Sequence, residues 1–250
     1  MWRTLVLWVV LVAMFIAIYQ SLGGGTRGAA LGGFGPWLAV APLMVGLFLW
    51  SRRQRGINQL SVEGAELLHR GRAAEALAKF EEFRGKSRSA VGPFNVGIAR
   101  MTLWQLDEAA LELEGAKKGS KQLPAVRHGI PVLLGLIHAL RGDTRAANDA
   151  IGAVDAKLKD TGQVLLAQAA LSCRAGDFTK GRELLGRHEV KQLGGFNGAL
   201  AAALHAWSVE QTQNELRHVD RIALFGETGP ERLKAAWPEL AAFVERAPAA

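Results

Sequence analysis

Gly71-Arg72-Ala73-Ala74-Glu75-Ala76-Leu77-Ala78-Lys79-Phe80 decides how this chain is read. A glycine can end a helix in the left-handed region that other residues avoid, and the alanines after it are strong helix formers. Ala73, Ala76, Leu77, Phe80 and Phe83 then recur three and four apart, the spacing of one apolar helix face. The stretch therefore predicts a turn followed by the second helix of an antiparallel pair.

Working outward, the same frame returns. Gly64 to Gly71 then Ala76 and Phe80 is followed by Gly97 to Trp104 then Ala109 and Leu113, and by Gly135 to Gly142 then Ala147 and Ile151. Ala169 to Gly176 then Gly181 and Leu185 is a weaker fourth copy. The steps from Gly71 to Trp104, Gly142 and Gly176 are 33, 38 and 34 residues, and a period of that size marks stacked helical hairpins. The frame continues weakly through Phe196 to Phe225, and Glu231 to Arg246 reads as a final helix that Pro238 kinks or restarts. Trp104 stands where the other copies have glycine, Pro93 and Pro131 fall at or near helix starts, and Lys117 to Pro124 lengthens one loop.

These segments resemble the tetratricopeptide repeat family, through Gly71 to Phe80, through Phe94 to Ala99 with Asp107 to Leu111 and Ala116, and through Gly142-Asp143 and Gly176-Asp177-Phe178. The resemblance implies an all-α chain carrying an α-solenoid of four to five helix pairs with a C-terminal capping helix. It also implies a concave groove lined by the first helices. On this sequence the groove receives Val62, Ala65, Leu68 and His69, then Phe94, Ile98, Met101 and Thr102, then Val132, Leu133, Leu136 and Leu140. Leu166, Ala170, Arg174, Leu204 and Trp207 complete it. The lysines and asparagines with which chaperone-binding members clamp a carboxylate are largely missing. Two readings follow: an apolar groove gripping a partner's segment, or side chains that pack on one another or on the terminal helix.

Ahead of the repeats the sequence is of another kind. No charge falls between Thr4 and Thr26 or between Gly28 and Trp50, which predicts membrane spans at about 4–22 and 34–50. Trp2, Tyr19, Trp37 and Trp50 sit near the span ends, and Arg52, Arg53 and Arg55 follow the second as a stop-transfer signal. The arginine asymmetry predicts a multi-pass protein of a bacterial inner membrane, with both termini and the repeat domain in the cytoplasm. A cleaved signal peptide is the rival for the first span. Residues 1–55 form this hairpin and 56–250 the repeat domain.

The formal charge of +7 comes mostly from this leader: five of the 30 basic residues and none of the 23 acidic ones precede Gly56, leaving +2 beyond it. That balance argues against a phosphate-binding face, so no nucleic acid is expected. The histidines His69, His128, His138, His188, His205 and His218 have no zinc-helix spacing, the lone Cys173 has no evident activating base, and the glycine clusters lack a P-loop lysine. No metal, cofactor, small-molecule substrate or catalysis is expected. The combined expectation is a membrane-anchored adaptor that binds a protein or peptide partner. The alternatives are a chaperone-like membrane-assembly factor and a non-catalytic subunit of a membrane enzyme complex.

Overall fold

The computed structural model describes residues 35–225 and 230–249, with side chains from residue 44 onward. Among these residues the secondary structure is helical, apart from one isolated bridge between Val219 and Ala249. The chain divides into two compact units, 1–56 and 57–250.

The described part of the first unit is the beginning of α1 (Gly35–His69). This helix does not stop at the arginines but continues through Arg52, Arg53 and Arg55, all exposed, to His69. No helix among the described residues is long and apolar enough to cross a membrane. Gly35, Pro36, Trp37, Pro42, Gly46 and Trp50 dilute the apolar run, and Ser51 and Arg52 close it. This corrects the expected span at 34–50 and, with it, the transmembrane hairpin, the bilayer partner and the multi-pass inner-membrane placement. The expected span at 4–22, with Trp2 and Tyr19, lies outside the described residues, as does the side chain of Trp37; Trp50 is 46% exposed.

The second unit is built of helical hairpins. The last part of α1 pairs with α2 (Ala73–Lys86) through Gly64 with Phe80 and Glu63 with Lys79. Likewise α3 (Val91–Thr102) pairs with α4 (Leu106–Lys117), α5 (Pro124–Arg141) with α6 (Thr144–Gly152), and α7 (Gly162–Arg174) with α8 (Phe178–Leu185). In each turn one amide reaches back three residues and the next reaches back five. Gly71 N donates to Leu68 O and Arg72 N to Leu67 O; Trp104 and Gln105, Gly142 and Asp143, Gly176 and Asp177 repeat the pair. This is the Schellman arrangement, which needs a left-handed residue. Gly71, Gly142 and Gly176 supply it at φ near 80°, and Trp104 does so at φ 58°. Asp143 and Asp177 then cap α6 and α8, their carboxylates accepting from Ala146 N and Lys180 N.

Within the hairpins the small residues of the sequence frame meet the large ones. A methyl group on Gly64 would collide with the Phe80 ring, one on Gly97 would lie 2.8 Å from Leu113, and one on Gly135 2.8 Å from Ile151. Gly181 stands in the same relation to Cys173. One proline reading changes and another is narrowed. Pro131 is interior to α5, which Pro124 already begins, after a short 3₁₀ turn at Ser120–Gln122. Of the kink or restart expected at Pro238 the structure has the restart, because Trp237 before it leaves the helical region, at φ −150° and ψ 82°.

The weak fifth copy does not close into a hairpin. After α9 (His188–Lys191), α10 (Gly195–Gln213) packs against α7 and α8, but an exposed stretch, 214–218, follows it. The short helices α11 (Arg221–Phe225), α12 (Glu231–Ala236) and α13 (Pro238–Arg246) then cross back over the first helices of earlier hairpins.

Candidate functional site

Several of the residues expected in the groove are buried in the chain's own core. Met101, Leu133, Leu136, Leu166, Leu204 and Trp207 are all buried, Leu136, Leu166 and Leu204 completely. They share one core with Leu224, Leu233, Trp237, Leu240, Phe243 and Val244 of the C-terminal segment, none of which is more than 1% exposed. At about 1.5–3 kcal/mol per buried side chain these six contribute on the order of 10 kcal/mol before chain ordering is subtracted. The segment is thus an integral part of the unit. Trp207 makes edge contacts with Phe178 and Trp237 and stacks on Phe243.

Polar contacts to main-chain carbonyls fix where the segment lies. The Trp104 indole N–H donates to Leu224 O at 3.0 Å, and its ring meets Phe196 edge-on at 5.5 Å. Arg232 donates to Leu103 O at 3.1 Å, at the end of α3. Arg174 links three elements: it donates to Leu140 O near the end of α5 and to Ala236 O at the end of α12, and its guanidinium lies 4.3 Å from the centroid of the Trp237 ring. A cation at helix C-termini is favoured by the local dipoles. Burial pushes the Arg174 pKa down, while Glu239 opposes that shift.

The expected groove positions nearest α1 differ. Leu68, Phe94 and Ile98 are half-buried, His69 is exposed, and Val62 is 58% exposed. Ser61, Val62, Ala65, Glu66, His69 and Arg70 line a shallow hollow of ≈ 530 Å³ along α1. Arg70 pairs with Glu66, one turn before it, at 3.6 Å.

Cys173 is buried beside the Ser208 hydroxyl at 3.3 Å, and burial pushes its thiol up to about 11, so thiolate is scarce at neutral pH. His138 and His205 are half-buried, and burial lowers both pKa values; the Arg141 cation adds to this at His138, and Arg217, Arg182 and Lys191 add to it at His205. Among the described residues no three His, Cys, Asp or Glu side chains are placed to hold a metal ion. The sequence reading placed the groove residues on one face but missed Trp104, Arg232 and the partners of Arg174. The replacement of the turn glycine by Trp104 was the one signal available.

No family model, no curated protein and no solved structure matches this chain. The tetratricopeptide resemblance is corrected accordingly: the hairpins and their turns are present, but no family membership follows from them. The membrane-anchored tetratricopeptide adaptor falls with it, together with its two membrane-based alternatives.

Proposed function

We propose that the second unit is a non-catalytic protein-interaction domain that meets its partner with outward surfaces of its hairpins rather than with the face between its first helices. The observation that supports this is the burial of that face's side chains in one core with residues 219–225 and 230–249. An incoming segment would have to displace side chains whose burial contributes on the order of 10 kcal/mol before chain ordering is subtracted. Single exposed apolar residues remain outside it, Val62 on α1 and Leu111 on α4, the latter 73% exposed.

Site-specific photocrosslinking tests the reading. A photoreactive residue is placed in the full chain at Val62, at Leu111 or at Leu136, with helicity checked by circular dichroism. The expected result is a crosslinked protein partner from Val62 or Leu111 and only intramolecular crosslinks from Leu136. A partner captured from Leu136 overturns the proposal, and so does the absence of any partner at the two exposed positions.

A further inference from the structure

Charge in the second unit is segregated in a way its small net balance hides. Residues 83–106 contain no Asp or Glu, and neither do residues 115–142. Together they hold nine bases: Arg84, Lys86, Arg88, Arg100, Lys117, Lys118, Lys121, Arg127 and Arg141. Of the 25 bases and 23 acids after residue 55, that leaves 16 bases against 23 acids in the remainder, a balance of −7.

The two acid-free stretches are packed on each other. A methyl group on Gly119 would lie 3.1 Å from the Ala90 Cβ, and one on Gly129 2.9 Å from the Phe94 ring. The loop between α2 and α3 therefore lies against the loop between α4 and α5. Ala90 and Ser120 are buried beneath this corner, and the Ser120 hydroxyl donates to Lys117 O, so the loops are held in place. Five of the nine bases are matched by acids outside the stretches: Arg84 by Glu112, Lys86 by Glu82, Arg100 by Glu81, Lys117 by Glu114 and Arg141 by Asp107. Arg88, Lys118, Lys121 and Arg127 are exposed and have no carboxylate partner among the described residues.

From this we infer that the corner formed by 86–90 and 117–128 is the docking surface for an acidic segment of a protein partner, which rests on the reading of the domain as a protein-interaction module. Arg84, Lys86 and Lys117 fall in the last turns of α2 and α4, where cations complement the helix dipole. Arg88, Lys118 and Lys121 lie beyond those helices, so a carboxylate supplied from outside is the partner they lack. Exposed ion pairs are individually weak, about 0.2–1 kcal/mol, but several cations on fixed loops steer and hold an acidic segment collectively.

Fluorescence anisotropy of a labelled oligoglutamate with the purified full chain at low salt tests this. The corner variant Arg88→Glu/Lys118→Glu/Lys121→Glu is compared with Arg145→Glu/Lys157→Glu/Lys180→Glu, which changes net charge equally at exposed bases outside the stretches. Wild type is expected to bind with salt-sensitive affinity, the corner variant to bind about tenfold more weakly or worse, and the control to change by less than about threefold. The neutral set Arg88→Gln/Lys118→Gln/Lys121→Gln should fall between, which guards against misfolding of the reversed variant. Equal losses in both reversed variants, no binding by wild type, tighter binding of a single-stranded oligothymidylate, or salt-sensitive self-association in place of binding would each overturn the assignment. None of these results touches the crosslinks at Val62 and Leu111, which report on the interaction-domain reading separately.

Discussion

Trp104 holds at φ 58° the turn position that glycine holds in three other hairpins, and its indole explains why a strained residue is kept there. A left-handed backbone costs a residue with a Cβ about 1–2 kcal/mol. The buried ring, its bond to Leu224 O and its contact with Phe196 return more than that. Trp104→Ala is therefore expected to lower stability by about 3–5 kcal/mol in urea unfolding, and Trp104→Gly by about 1 kcal/mol less, because glycine relieves the backbone. An alanine variant as stable as the glycine variant would refute this account. The half-buried histidines make a second prediction at this scale. His138 and His205 have folded pKa values below the unfolded value, so between the two the unfolded chain binds more protons. Their contribution is complete above about pH 6.5 and is lost as pH falls from there through the folded values. The urea midpoint should drop between about pH 7.5 and 5.5 in wild type, and drop less in His138→Gln/His205→Gln; an equal drop in both would exclude the histidines as the cause.

At the scale of elements, each hairpin depends on a small residue facing a large one. Gly135 approaches Ile151 so closely that Gly135→Ala should cost about 1–3 kcal/mol by overpacking. Adding Ile151→Ala should cancel part of that cost, giving a coupling of about 1 kcal/mol or more in a double-mutant cycle. Simple additivity would mean that α5 and α6 do not meet through this pair. Such pairs were legible in the sequence because both members are set by a local frame: Gly64 with Phe80, Gly97 with Leu113 and Gly135 with Ile151 recur at fixed spacing around a turn of fixed geometry. The interior Pro131 and the non-helical Trp237 were less legible, since helix boundaries there depend on which neighbouring proline starts the helix. Least legible was the occupant of the face between the first helices. Trp104 lies 120 residues from Leu224, and Leu103 lies 129 from Arg232. No periodic pattern reports pairings at that separation. The sequence placed Leu136, Leu166 and Leu204 on one face but left open whether a partner or the chain itself covers it.

For the second unit as a whole, the returning segment changes how stability is shared. In a stack of hairpins each repeat touches only its neighbours, and the ends can unfold while the middle persists. Here Arg232 reaches Leu103, Arg174 joins Leu140 to Ala236, and Trp237 and Phe243 meet Trp207, so one segment reaches the second and fourth hairpins and α10 at once. Calorimetry of residues 57–250 within the full chain is expected to show a single transition whose van't Hoff and calorimetric enthalpies agree. Separate transitions for the early hairpins and the C-terminal segment would contradict it. The same connection has a consequence in time. Ribosomes deliver the hairpins first and the C-terminal residues after them, at about 5–20 residues per second, so for several seconds Trp207 stands without Trp237 and Phe243. Every newly synthesised copy therefore passes through an interval in which part of its core lacks its final packing partners, and a chain truncated within that segment is expected to keep that exposure.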